Sequence, residues 1–339
     1  MTVAIHARAT MAIRSVQKMC NAQFPPRIKD DQAILPFPMK RTLSIIGAGR
    51  VGRTLGRRLR ERGWRIDAVV TRSAATARAA VRAIGAGKPL AWPRMKPGDP
   101  APDVGTIFSA DVIFITTADD VLPAVARDLA GLAKRAGSKC RGKIILHTAA
   151  TLDRTALASF ARLGAAVGSL HPMQAFGGSV MPNLKGVIFA VEGDPKARRV
   201  ALSIAKSLGG VPVAIDTRDK PIYHASAVMA AGGMYPAIEG GLQMLMRIGF
   251  TRARAEQTLF PLIRQILDNI ERIGPRAAWT GPLSRGDYAI VARHARALRR
   301  YPREFPEAYA ALALLAGRVL AKNPSAALKK IARALGESR

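Results

Sequence analysis

The sequence predicts an α/β fold: a doubly wound, mainly parallel sheet over residues 39–216, followed by an all-helical domain over residues 217–339. Three observations carry that expectation. Short β-branched runs alternate with helical segments as far as "VPVAI" at 211–215. A glycine cluster stands directly after the first of those runs. From Lys220 onward, apolar residues recur at three- and four-residue spacing and strand signals stop.

The first strand is Leu43 to Ile46, a buried-type apolar run. Gly47-Ala48-Gly49-Arg50-Val51-Gly52 follows, a full GxGxxG, and Val51, Leu55 and Leu59 then recur at helical spacing until Gly63 closes the helix. Gly47 allows the tight turn, Gly49 lets the backbone approach a pyrophosphate, and Gly52 lets helix pack closely on strand. A glycine-rich strand-to-helix turn without a ligand has the same local pattern. The second strand, Ile66 to Thr71, completes a unit of about thirty residues and favours the dinucleotide reading, with all six residues from Gly47 to Gly52 on the cofactor.

At the end of that second strand, about 20 residues beyond the last glycine, an NAD site carries an acid for the ribose hydroxyls. Here Arg72 and Ser73 occupy the place. A guanidinium pairs with a 2′-phosphate in two parallel hydrogen bonds, and no carboxylate is present to repel it. The expected cofactor is NADP(H).

Further strands are expected at Asp111–Thr117, Lys143–His147, within "AAVGSLHPMQAF", and at "GVIFAVEGD" and "VPVAI". Ligands of such sheets lie beyond the carboxyl ends of the strands, which puts Thr116, Thr117, Asp119, His147, Thr148 and His171 on the cofactor side. The stretch from Gly85 to Gly105, rich in Pro, Gly and Lys, reads as a long loop or insertion.

Composition bounds the function classes. At 339 residues two domains are expected. No run of about 18 apolar residues exists to span a membrane. Cys20 and Cys140 are far apart and have no CxxC partner, so neither a disulfide framework nor a thiolate metal site is signalled, and a cytoplasmic location fits. No HExxH or carboxylate cluster appears, so no metal is expected. The formal charge of +30 invites a polyanion reading, yet Arg57, Arg58, Arg60 and Arg62, and Arg293 to Arg303, are interleaved along helical segments as solvated faces would be. No specific nucleic-acid partner is expected. Residues 1–38 read as a flexible extension or an over-early start, because Met39-Lys40-Arg41 is an ordinary beginning for the first strand; an amphipathic transit peptide is the other reading.

The helical part offers "YHASAVMAAGGMYPAIEGGLQMLMRIG", read as a long buried helix that Pro236 kinks. A second helix carries Leu259, Leu262, Ile263, Ile266, Ile270 and Ile273 at helical spacing, and "EAYAALALLAGRVLA" is a third. These faces are read as core and interface.

Candidate reacting groups are His171, Lys220 and His224. His171 lies just past a strand with Pro172 behind it, and an imidazole near its working pH takes or gives the proton that accompanies hydride transfer; a histidine that only shapes its loop is the bland alternative. Lys220 and His224 are four residues apart, on one helix face, where Lys220 could meet a substrate carboxylate or protonate a carbonyl oxygen, or be a mere helix-start charge. In "TGPLSRGD", Ser284, Arg285 and Asp287 make a candidate anion clamp for the substrate, with Asp287 either holding Arg285 or capping the next helix.

Several segments together resemble one family: "IIGAGRVG" at 45–52, "DVIFITTADD" at 111–120, "LHTAA" at 146–150, "SLHPMQAF" at 169–176, "YHASAVMAAG" at 223–232 and "TGPLSRGD" at 280–287. The chain is similar along nearly its whole length after Met39 to bacterial Rossmann-like proteins with a DUF2520 C-terminal domain, described as NADP-dependent oxidoreductases. That resemblance implies a Rossmann domain followed by a helical domain like the C-terminal part of 6-phosphogluconate dehydrogenase, kinship to pyrroline-5-carboxylate reductase and prephenate dehydrogenase, and a homodimer formed through the helices. His171 resembles the histidine of the prephenate dehydrogenase "HPM" loop, which contacts the substrate hydroxyl. The expected activity is NADP(H)-dependent hydride transfer to or from a small, anionic carbonyl, imine or hydroxy-acid substrate. The alternative is a non-catalytic NADP(H)-binding sensor or interaction protein.

Overall fold

A computed structural model describes residues 42–92, 104–178 and 180–336. The expectations for residues 1–38, and for most of the loop before Gly105, fall outside the described residues. The chain divides into two compact units, Met1–Ala227 and Val228–Arg339.

The first unit is built on one eight-stranded sheet. β1 (Thr42–Ile46), β4 (Val112–Ile115) and β5 (Ile144–His147) are buried at every position. Parallel strands covered on both faces read as unbroken apolar runs, which is why these were legible. Their alternation feeds two cores: Leu43, Ile45, Phe114 and Leu146 on one face, and Ile46, Ile113, Ile115 and Ile145 on the other. β2 (Arg65–Thr71), β6 (Ala166–Pro172), β7 (Ile188–Gly193) and β8 (Val211–Ala214) complete the expected set. The strand order is β3-β2-β1-β4-β5-β6-β7-β8, so the direction of winding reverses between β1 and β4.

One feature departs from the sequence reading. A short strand, β3 (Lys88–Ala91), lies inside the stretch read as a loop and pairs in parallel with β2 at the sheet edge. Lys88 and Pro89 hide it, since an edge strand tolerates both and carries no buried apolar face. Among the described residues one pairing is antiparallel, β6 with β7 from Gly168↔Gly193 to Pro172↔Phe189, in keeping with a mainly parallel sheet.

Helices cover the sheet. α1 (Arg50–Glu61) follows the glycine loop and buries Leu55 and Leu59; α2 (Ala74–Ile84) follows β2. The short α3 (Gly105–Ser109) precedes β4, α4 (Leu122–Arg135) follows it, the short α5 (Ala158–Ala161) precedes β6, and α6 (Pro195–Ser207) follows β7. A 3-10 turn, Thr217–Asp219, leads into α7 (Lys220–Ala227), the last element of this unit.

The second unit is helical throughout its described length. A π-helical turn, Val228–Gly232, precedes α8 (Met234–Arg247), and Gly233 N–H reaches back to Val228 O at 2.7 Å. Pro236 therefore sits in the first turn of α8, where its missing N–H has no intrahelical partner to lose. The segment read as one long buried helix is interrupted, and of residues 220–247 only Lys220 and Leu242 are buried. α9 (Arg252–Ile273) buries only Ala255, leaving Leu262, Ile266, Ile270 and Ile273 exposed. α10 (Pro282–Arg285), α11 (Tyr288–Leu298), α12 (Glu304–Val319) and α13 (Pro324–Leu335) follow, with Gly317 of α12 against Ile331 of α13. Among the described residues no helix is long and apolar enough to cross a membrane.

Candidate functional site

The glycine loop and the end of β4 meet at the reversal point of the sheet, the place where open α/β sheets bind ligands. Gly47 has φ +79°, and a Cβ there would run into Thr117 Cγ2 and stand 3.0 Å from the Thr117 amide nitrogen. A Cβ on Gly52 would strike Thr116 Oγ1 and come within 3.2 Å of Ile45 Cγ2, so this glycine seats α1 on the sheet. At Gly49 the nearest obstacle is Gly47 O at 3.8 Å, which leaves an open approach to the backbone.

The loop is tied in place from three sides. Gly47 N–H donates to Val70 O at 2.8 Å, Thr116 Oγ1 donates to Gly47 O at 2.9 Å, and Arg53 Nε donates to Ala48 O at 3.0 Å. Ala48 is buried, Val51 is half-buried, and Gly49 and Arg50 are exposed at the start of α1, whose first amides have no intrahelical partner.

At the end of β2, Arg72 and Ser73 are both exposed. Ser73 caps α2, its Oγ accepting from Thr76 N–H at 3.3 Å, and Thr71 Oγ1 and Thr76 Oγ1 lie 2.6 Å apart. Arg72 thus projects from a helix start ringed by hydroxyls, a fitting surface for a phosphate.

Two of the expected cofactor contacts prove to be loop supports. Thr116 is buried, with its hydroxyl committed to Ile46 and Gly47 carbonyls. His147 is 0% exposed; its Nδ1 accepts from Ala149 N–H at 3.2 Å, which leaves the proton on Nε2, 3.0 Å from Asp153 O. Both ring nitrogens are spent on the backbone, so His147 straps the loop after β5 instead of contacting a ligand. Burial, reinforced by the Lys220 charge, pushes its pKa down to about 3. Thr148 is half-buried, and Asp119 is exposed and accepts from Thr151 Oγ1 at 3.5 Å.

His171, Lys220 and His224 do come together. The His171 ring lies 6.1 Å from that of His224 and 5.8 Å from that of Tyr223, edge to face in both cases. Tyr223 was not singled out in the sequence; its position beside His224, three residues after Lys220, was the available signal. Three polar atoms here are buried without a hydrogen-bond partner in the protein: Thr117 Oγ1, His171 Nδ1 and Tyr223 OH. Such atoms are costly to leave unpaired, and they mark where a ligand's polar groups fit. Burial first, then the charges of His224 and Lys220, lowers His171 to about 4, and burial lifts Tyr223 to about 12. Both are neutral near pH 7.

Lys220 is 1% exposed, and its Nζ donates to Ser169 Oγ at 2.7 Å. Burial lowers its pKa to about 8 against the opposing pull of Glu192, Asp153 and Asp119. The ammonium is enclosed, so Lys220 is not the surface charge of a helix start.

Ser284, Arg285 and Asp287 form a cluster of their own in the helical unit. Arg285 Nε donates to Asp287 Oδ2 at 3.1 Å, and Ser284 Oγ donates to Gly281 O at 2.9 Å. Asp287 precedes α11 but makes no side-chain cap, so it holds the arginine. Among the described residues no group of three metal-ligating side chains gathers.

Residues 187–316 match the family described as a domain of unknown function, DUF2520. Among solved structures, a Bacteroides fragilis protein described as a candidate NADP oxidoreductase is 21% identical, with 80% of this chain and 96% of that one covered at a TM-score of 0.63. A Thermotoga maritima protein is 19% identical, covering 88% of this chain and 100% of that one at 0.58. A Streptomyces aurantiacus imine reductase is 17% identical, covering 85% and 98% at 0.52. No curated protein matches the sequence. Over residues 187–316 the resemblance read from the motifs is borne out by the family match, and the Rossmann-like sheet with a helical C-terminal part by the shared fold.

Proposed function

We propose that this chain is an NADP(H)-dependent oxidoreductase acting on a small anionic carbonyl, imine or hydroxy acid. The observation that carries the reading is one sheet bearing both a glycine cradle open at Gly49 and desolvated, unpaired polar atoms at Thr117 and His171, with the unpaired Tyr223 hydroxyl of α7 on the ring beside His171. A bound nicotinamide supplies or accepts the hydride. Gly49, Arg50, Val51 and Gly52 hold its pyrophosphate on their amides, and Arg72 with Ser73 holds the 2′-phosphate. His171 accepts the proton of a hydroxyl substrate through its neutral ring, or returns one to the reduced product. His224 and Tyr223 orient that ring. An anionic substrate beside His171 offsets the Lys220 charge and draws the His171 pKa back toward neutrality. Within the helical unit, Ser284 and Arg285, with Asp287 holding the arginine, make an anion clamp of their own. The names of two structural neighbours, an NADP oxidoreductase and an imine reductase, agree with this chemistry at the level of fold analogy.

Arg72 tests the cofactor choice. NADPH is expected to bind at least about 10-fold more tightly than NADH, and Arg72→Ala to weaken NADPH about 10- to 100-fold while leaving NADH unchanged, since a charge-assisted phosphate contact contributes about 1.5–3 kcal/mol. Titration of both nucleotides by tryptophan fluorescence reads the result; equal loss for the two would remove Arg72 from the 2′-phosphate.

Self-association through the helical unit belongs to the same proposal. The exposed face of Leu262, Ile266, Ile270 and Ile273 on α9 is the supporting observation. Light scattering is expected to give twice the chain mass, and a monomer at micromolar concentration contradicts it.

A further inference from the structure

We propose that Lys220 is a positioning residue that pins the start of α7 to the end of β6 and so fixes His171 among its ring neighbours. The inference rests on His171 being the proton partner.

One bond sets the register of the whole cluster. Lys220 Nζ and Ser169 Oγ are 2.7 Å apart, with Lys220 at 1% and Ser169 at 0% exposure. On β6, Ser169 and His171 are two residues apart and share a face. On α7, Tyr223 and His224 follow Lys220 by three and four residues and share its face. Joining Ser169 to Lys220 therefore brings the Tyr223 and His224 rings onto the His171 ring, as their 5.8 Å and 6.1 Å separations record.

The surroundings of the ammonium argue against a direct chemical role. Burying a charge costs several kcal/mol unless it is compensated. The compensation comes from this chain: Glu192 of β7, 5% exposed, and Asp153 and Asp119 from the loops after β5 and β4. Glu192 is itself fixed, accepting from Arg154 N–H at 2.9 Å. His147 of β5 and His171 of β6 are the basic groups facing Lys220, and its charge opposes protonation of both. The latch thus acts twice on His171, by placing its ring and by keeping it neutral.

The test is a proton NMR titration of the His171 ring in the full-length, ligand-free protein. His171→Asn identifies the resonance among the five histidines. In the wild type the ring is expected to titrate near pH 4. Lys220→Met should raise that midpoint by about one unit, since a nearby like charge is removed while burial remains. Lys220→Arg keeps the charge and should keep the midpoint low. Ser169→Ala removes the bond and keeps the charge, so the midpoint should hold while the His171–Tyr223 Overhauser contact weakens. An undisturbed His171–Tyr223 Overhauser contact in Lys220→Met overturns the proposal. Should that variant fail to fold, an undisturbed His171–Tyr223 contact in Ser169→Ala overturns it instead. NADPH affinity measured on the same samples separates the two readings: loss of NADPH binding in the wild type sinks the oxidoreductase and leaves the latch standing.

Discussion

Gly47→Val is expected to weaken NADPH binding by at least about 100-fold, or about 2.7 kcal/mol, and to lower stability by about 2–4 kcal/mol. Two causes act together. The native φ of +79° is a region that β-branched residues avoid. The new Cβ also meets Thr117 Cγ2 and the Thr117 amide. Thr117 cannot retreat cheaply, because Thr116 N–H is bonded to Ile46 O at 2.8 Å and the Thr116 hydroxyl to Gly47 O. The loop must shift instead, carrying the first amides of α1 with it. Gly49→Ala separates ligand from fold. Gly49 has φ −73° and open space around it, so alanine there should leave the melting temperature nearly unchanged while obstructing the pyrophosphate. Calorimetric titration and thermal melts of both variants read the difference; wild-type NADPH affinity in Gly47→Val would show that the turn is only a turn.

Acid should destabilise the first unit well before its carboxylates protonate. His147 titrates at about 3 in the folded chain, below its ordinary value of 6.5. Between those two values the unfolded chain binds the proton and the folded chain does not, so stability is full above pH 6.5 and falls as pH drops through it. From pH 6.5 to 5 the loss is about 2 kcal/mol for this residue alone. His171, at about 4, pulls in the same direction. Lys220 extends the trend at the alkaline end: its folded value of about 8 lies below the ordinary 10.5, so stability rises further with pH between them. Urea unfolding at pH 7.5 and pH 5 measures the slope, and His147→Gln should flatten it. A urea midpoint unchanged between the two pH values would mean that His147 is hydrated, not buried against the backbone.

Much of the first unit was legible because its signals are local. The strand, GxGxxG and helix from Leu43 to Gly63 fix one another within a single turn of chain, and β4 and β5 announce themselves as unbroken apolar runs. What escaped depends on partners distant in sequence. β3 exists because Ala68 to Thr71 offer an edge to pair with, not because Lys88-Pro89-Leu90-Ala91 favours a strand. The burial of Lys220 is set by Ser169 and Glu192, residues that no spacing rule connects to it. His147 was correctly placed at a strand end, yet only the return of the chain at Ala149 and Asp153 shows that both nitrogens are used. The apolar residues of α9 were read as core and interface from their spacing; Leu259 and Ile263 are half-buried, whereas Leu262, Ile266, Ile270 and Ile273 are exposed within one chain.

In the proposed function the amides at the start of α1 cradle a dinucleotide and the guanidinium of Arg72 reads its additional phosphate. Isothermal titration of the purified full-length chain with NADPH, alongside NADH, tests it most directly. One site per chain with micromolar affinity for NADPH and weaker uptake of NADH is the predicted result. No heat of binding from either NADPH or NADP⁺ at millimolar ligand would contradict it.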